Sequence, residues 1–142
     1  HGAAAICKDE IKDYLINFCR PFIYSTALPP NDCIAIMTAH EIMQEKEAER
    51  EILKGHISYF RKKVSKTKLK LIKGSGPICA ILFDGNTKAR DISNLLITNG
   101  MGVLPVLSPT VPKGKERLTI ILHSFNTKDE IDKLIELLVK HG

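Results

Sequence analysis

An α/β chain in an α+β arrangement, with helices packed on one face of a small and mostly antiparallel sheet, is the fold class that three observations predict. The second half of the sequence runs strand, helix, strand, strand, helix, each apolar run being short and each helical pattern amphipathic. A long helical pattern precedes it, and Pro- or Gly-rich loops punctuate the whole. The composition is ordinary for a globular chain: 142 residues, 44% hydrophobic and 26% charged, enough for one domain with a core.

The first element is expected at residues 3–7, Ala-Ala-Ala-Ile-Cys, as a short buried strand. The opening residues carry neither an initiator Met nor a basic stretch, so no signal peptide is expected and the strand reads as entered from elsewhere. Ile11, Tyr14, Leu15 and Phe18 then fall at i, i+3, i+4 and i+7, one apolar stripe of a helix that should stop before Pro21. Residues 22–28 are extended or looping. Pro30 suits a first helical turn, with Asn31 and Asp32 near its positive end. From Asn31 to about Val64 the pattern is mostly helical, with Ile34, Met37, Leu53, Ile57, Phe60 and Val64 as its apolar positions. Residues 44–51 are polar all round and should be solvated, and Gly55 is the expected break.

Residues 74–77 form a loop, and a strand rather than a helix follows it, which argues against a phosphate cradle. Residues 78–83 read as a strand and Thr87 to Asn99 as a helix with Ala89, Ile92, Leu95 and Leu96 inward, closed by Gly100. Met101 to Val106 and residues 117–125 read as strands. Thr127 and Glu130 make a capping box that opens a last helix, with Ile131, Leu134, Ile135 and Leu138 on one face. No internal repeat or low-complexity tract divides the chain, so the pattern describes one domain.

Net charge is +5, much of it between Arg61 and Lys73. Aromatic residues are not interleaved with these bases, so a solvated helix end and loop is expected and no nucleic-acid partner. No apolar run approaches the roughly 18 residues that span a bilayer, so no membrane partner is expected either. Cys7, Cys19, Cys33 and Cys79 are irregularly spaced without a C-x-x-C pair, which favours buried free thiols in a reducing, cytoplasmic compartment.

The catalytic inventory is thin. His40, His56 and His123 stand alone, with no metal-ligand spacing among them. His56 lies on the apolar stripe as a core or edge residue, whereas His123, at a strand end, has a position from which to face a site. No G-x-S-x-G elbow occurs. Two loops are more specific. Residues 22–30, Phe-Ile-Tyr-Ser-Thr-Ala-Leu-Pro-Pro, set the hydroxyls of Ser25 and Thr26 in an apolar stretch before a rigid Pro-Pro, where they can donate to a phosphate without adding charge. In residues 107–114 prolines flank Thr110, which stiffens its backbone and fixes the angle of its hydroxyl. Judged by spacing alone, an ordinary polar turn and a tight inter-strand loop are the plainer accounts of these two patterns.

These loops, together with residues 117–138, resemble the class II, fold-type-I pyridoxal-phosphate family, and within it the α-oxoamine synthases. The likeness covers Gly2 to about Leu138 and is nearest to the biotin-pathway member. Aminoketobutyrate ligases, aminolevulinate synthases and serine palmitoyltransferases have related but different versions of both loops. The resemblance implies a transferase, a pyridoxal 5'-phosphate acyltransferase, working as a homodimer with its active site at the interface. It implies decarboxylative condensation of L-alanine with an acyl thioester, pimeloyl-CoA or its carrier-protein equivalent. Residues 1–30 would end the large-domain segment and form an interface loop. Residues 31–142 would be a long connecting helix and the C-terminal small domain. The Schiff-base lysine, in a T-x-x-K-x-x-G stretch, is expected upstream of His1, so no catalytic residue is assigned within the chain. Ser25 and Thr26 match the position reaching the cofactor phosphate of the other subunit, and Thr110 a substrate-contacting threonine. Arg117 opens a strand where the family often reads R-L-R, the second Arg holding a substrate carboxylate, and that second position is Thr119 here. Thr110 and Arg117 are thus the substrate-binding residues the resemblance implies, while the alternation of neighbouring strand residues between faces argues against Arg117 taking over the carboxylate clamp.

Overall fold

The computed structural model describes residues 4–142. The chain divides into two compact units, His1–Glu47 and Ala48–Gly142.

In the first unit α1 (Asp9–Phe18) and α3 (Pro30–Glu45) form where the apolar spacing and Pro30 place them, and a short α2 (Arg20–Ile23) lies between. Pro21 sits in the first turn of α2, where its missing N–H costs nothing. The expected strand is absent: residues 4–8 adopt no regular structure, and residue 3 lies outside the described residues. A strand needs a neighbour for its ladder, and no described residue pairs with this segment. The amphipathic stripe of α1 is exposed, Tyr14 and Phe18 stacking on each other at 4.9 Å. None of the three helices contains a buried residue. Periodicity identifies an apolar face but not the surface that covers it.

The long helix breaks at Lys46, not at Gly55. A helix interior Gly costs about 1 kcal/mol, but in α4 (Glu47–Val64) it lies on the turns anchored by Phe60 and Val64, both buried, and by Leu53 and Ile57. The polar stretch of residues 44–51 has no buried side chain to hold its turns together, and there the backbone departs to φ −95° and ψ 43°.

The second unit carries a four-stranded antiparallel sheet in the order β1-β2-β4-β3. Its strands are β1 (Lys70–Leu71), β2 (Ile78–Leu82), β3 (Leu104–Val106) and β4 (Arg117–Ile121), with α5 (Asn86–Thr98) and α6 (Lys128–His141) completing it. β1, inside the basic stretch, has no sequence signal of its own, and the other strands are shorter than their apolar runs. Phe83 and Leu122 remain buried just beyond the strand ends, their N–H groups donating to Glu116 O and Pro77 O.

Alternation along β2 and β4 buries Cys79, Ile81, Leu118 and Ile120 on one face. There they join Phe60 and Val64 of α4, Ala89, Ile92 and Leu96 of α5, and Ile131, Leu134, Ile135 and Leu138 of α6. Helices on one face of a small antiparallel sheet is the predicted architecture. Leu95, expected inward, is only half-buried. The capping box forms as read: Thr127 Oγ1 accepts from Glu130 N at 3.2 Å, and the Glu130 carboxylate accepts from Thr127 N at 2.9 Å. Tyr59 Oη and Lys63 Nζ of α4 both donate to the Asp132 carboxylate on α6, at 2.8–2.9 Å. Gly100, at φ 83°, closes α5 in the left-handed conformation a C-terminal Gly permits.

All four cysteines are free, but only Cys79 is buried; Cys7 and Cys33 are exposed and Cys19 is intermediate. The expectation of buried thiols therefore holds at one position. The others lie on helices or segments whose apolar faces are uncovered. Burial pushes the Cys79 thiol above its ordinary value, partly opposed by Arg61, so it is an inert core group. No helix is long and apolar enough to cross a membrane, and no metal-binding cluster occurs, both among the described residues.

Candidate functional site

Ser25 and Thr26 follow α2, and the two hydroxyls differ. Ser25 Oγ donates to Pro21 O at 2.6 Å, closing the end of the helix. A hydroxyl has one hydrogen to give, so that of Ser25 is already used by the backbone. Thr26 is exposed and its hydroxyl makes no hydrogen bond among the described residues. Of the pair, Thr26 is the one with a donor free for a phosphate oxygen, and to that extent the loop fits a phosphorylated cofactor.

The other two candidates lie in the second unit. Thr110 is exposed at the crest of the loop between β3 and β4. That loop is fixed by Asn86, the first residue of α5: its Nδ2 donates to Ser108 O at 3.1 Å, and its Oδ1 accepts from Ser108 N at 2.9 Å. Val111, buried, anchors the far side and donates its N–H to Leu107 O. Glu116, also buried, accepts from Gly114 N at 2.8 Å, closing the base of the loop. Asn86 was not singled out in the sequence, where an Asn after Asp-Gly reads as turn chemistry.

Arg117 and Thr119 are both half-buried, with Leu118 and Ile120 buried between and beyond them. Two residues apart, they share a face of β4. This corrects the alternation argument, which separates Arg117 from Leu118 and not from Thr119. The Arg117 Nε is buried and has no hydrogen-bond partner among the described residues. Thr119 also borders a groove of about 700 Å³ beside β3, along with Leu104, His123, Asn126 and Lys133. His123 thus faces a groove, exposed and stacked on Phe125 at 4.7 Å. His56 is half-buried with an unpartnered Nε2, consistent with an edge position.

The basic stretch is largely solvated: Lys62, Lys66, Lys68, Lys70 and Lys73 are exposed, while Lys63 is held by Asp132.

A family model for aminotransferase class I and II matches residues 1–138. The chain belongs to that family. It is 34% identical over 137 residues to 8-amino-7-oxononanoate synthase of Serratia proteamaculans (strain 568), covering 96% of this chain and 36% of that protein. Among solved structures it is similar to the 8-amino-7-oxononanoate synthase of Francisella tularensis, with TM-score 0.76 and 29% identity, over 94% of this chain and 39% of the other. A lysine-to-alanine variant of serine palmitoyltransferase from S. paucimobilis, with a PLP–myriocin aldimine bound, shares the fold: TM-score 0.66 and 21% identity, over 92% of this chain and 33% of that one. The chain thus spans little more than a third of the relatives it matches. The α/β class and the α-oxoamine likeness read from the two loops agree with these matches.

Proposed function

We propose that the protein containing this chain is a pyridoxal-phosphate-dependent acyltransferase of biotin biosynthesis. It condenses L-alanine with pimeloyl-CoA or a pimeloyl carrier protein, with loss of carbon dioxide, to give 8-amino-7-oxononanoate. The observation that carries this reading is the 34% identity to a synthase of that name across 96% of the chain. The cofactor supplies an electron sink for the carbanion formed at the amino acid. Thr26 donates to the cofactor phosphate of the partner in a homodimer, with Ser25 closing the helix beside it. Thr110 and Arg117 contact substrate. In this reading residues 1–30 complete a larger domain and its interface, and residues 31–142 form a connecting helix and small domain. The lysine that bonds the cofactor comes from outside residues 1–142, so those residues alone are inactive. The enzyme works in the cytoplasm.

The test is to supply the whole protein with the cofactor, L-alanine and pimeloyl-CoA and to follow the amino-oxo acid by mass spectrometry. Product with L-alanine and the pimeloyl thioester supports the reading. Turnover only with glycine and acetyl-CoA, or with serine and a long acyl chain, would move the protein to another α-oxoamine synthase, the ketobutyrate ligase or the palmitoyltransferase type. No condensation with any pair would sink it.

A further inference from the structure

The chain's positive charge is gathered in one place. Seven of its 21 basic residues and none of its 16 acidic ones lie between Arg61 and Lys73, so the remainder, 14 against 16, is slightly acidic. Arg61, Lys62 and Lys63 suit the negative end of α4, but Lys66, Lys68, Lys70 and Lys73 lie beyond that helix. Asp132 pairs with Lys63, and no carboxylate among the described residues pairs with Arg61 or Lys73. Where the stretch turns from α4 into β1 it walls a cavity of about 490 Å³, lined by Arg61, Lys73, Gly74, Leu69 and Leu71 among others and by no acidic residue. Residues 74–76 fold back on Arg61: its Nη2 donates to Gly76 O at 3.4 Å, and a Cβ on Gly74 would stand 3.5 Å from that nitrogen. The Arg61 Nε is buried and meets no acceptor among the described residues. The N–H groups of Gly74, Ser75 and Gly76, all exposed, donate to no acceptor among the described residues. Ser65 and Thr67, which also line the cavity, have given their hydroxyl hydrogens to Lys62 O and Val64 O. A guanidinium nitrogen left unmet is costly and crowded like charges repel, and an anion in the cavity relieves both.

We propose that this cavity is a phosphoryl-group site, taking phosphate or the phosphate monoester at the end of a larger molecule, with Arg61 and Lys73 as its cations and the N–H groups of residues 74–76 as further donors. A guanidinium fork, an ammonium and several N–H groups outnumber what a carboxylate can accept, and two cations match a dianion. The loop is not a helix-entry cradle, since a strand follows it; its donors act beside a side-chain cation instead of a helix end. A nucleic-acid strand is disfavoured because the nearby aromatics are not free to stack on bases: Phe60 is fully buried and Tyr59 is tied to Asp132. The site lies outside Thr26, Thr110 and Arg117, and it does not depend on the synthase reading.

Inorganic phosphate, glycerol 3-phosphate and acetate are the probes, titrated at constant ionic strength into the whole protein already loaded with pyridoxal phosphate. Phosphate should bind about 10-fold or more tightly than acetate and should shift the backbone amide resonances of Gly74, Ser75 and Gly76. Arg61→Met should weaken phosphate about 10-fold or more, and Arg61→Lys should recover part of the loss. Lys73→Gln, at an exposed position that the fold does not need, should weaken phosphate about 3-fold or more. Equal cofactor absorbance in every variant shows that the fold and the cofactor site are intact. Glycerol 3-phosphate binding as tightly as phosphate would identify the ligand as an esterified phosphate, and its exclusion would identify the free ion. Acetate binding as well as phosphate, shifts confined to residues elsewhere, or phosphate affinity unchanged in both Arg61→Met and Lys73→Gln would each overturn the proposal. So would a single-stranded oligonucleotide that binds the stretch while phosphate does not.

Discussion

Asn86→Ala should loosen the loop that presents Thr110, and the size of the effect follows from the two bonds Asn86 makes. Its side chain donates to Ser108 O at 3.1 Å and accepts from Ser108 N at 2.9 Å, both partly buried. Each such bond is worth about 0.5–1.5 kcal/mol net, so losing both costs about 1–3 kcal/mol. If the loop opens locally, exchange of the Ser108 and Val111 amide hydrogens should accelerate roughly 5- to 150-fold. Asn86→Asp sharpens the test. It keeps the acceptor for Ser108 N but turns a carboxylate oxygen toward Ser108 O. Against that repulsion stands a gain of about 0.3–1 kcal/mol from a negative charge at the start of α5. Exchange in the Asp variant should therefore lie between the parent and the Ala variant. Thr110→Val supplies the reference: it should weaken acyl-substrate use in the whole protein while leaving amide exchange in the loop unchanged. Hydrogen exchange read by NMR or mass spectrometry decides the matter. Unchanged exchange at Ser108 in a folded Asn86→Ala protein would refute the clamp.

Thr26→Val keeps shape and removes the free hydroxyl, so the cofactor dissociation constant of the whole protein should rise about 10- to 100-fold. Mixing it with a variant lacking only the cofactor-bonding lysine should restore activity if the phosphate contact crosses a dimer interface; no recovery despite heterodimers would place Thr26 elsewhere. Gly55→Ala should stabilise by about 0.4–1 kcal/mol, because Gly55 lies inside α4 and a Cβ there meets nothing within 4 Å; a lowered denaturant midpoint would contradict a continuous helix. Lys63 and Tyr59 hold the Asp132 carboxyl below its ordinary 3.8, and the Thr127 N–H and Asn126 amide hold Glu130 below 4.5. Both groups bind protons less readily folded than unfolded. Their stabilisation is therefore complete above those ordinary values and lost as pH falls through the lowered ones. Asp132→Asn and Glu130→Gln should each flatten the acid limb of a stability-against-pH curve, and an identical limb in both variants would remove these bonds as its cause.

Local chemistry was legible where a residue acts on its own neighbours. Thr127 and Glu130 announce a helix start because both partners of the box lie within one turn, and Gly100 announces a helix end for the same reason. The one-sided core followed from the inward positions of Ile92, Leu96, Ile131 and Leu138. What escaped depends on distant partners. β1 exists because Lys70 and Leu71 find Leu82 and Ile81, not because of their own propensity. The break at Lys46 reflects which turns find packing, which Gly55 alone does not reveal. At the site, the hydroxyl pair and Thr110 were visible as loop chemistry. The use of Ser25's hydrogen by Pro21 O, the Asn86 clamp and the unmet Nε of Arg117 required coordinates.

The two outer strands of the sheet are brief, two residues in β1 and three in β3, and the middle residue of β3 is Pro105. A proline nitrogen has no hydrogen to offer an incoming strand, and a two-residue margin gives too short a template for one to grip. Growth of the sheet sideways into stacked copies is therefore blocked at both rims, even though Leu104 and Ile121 leave its broad side greasy. Self-association of this unit, where it occurs, should proceed flank to flank through that broad side and stay reversible, rather than extend into fibrils.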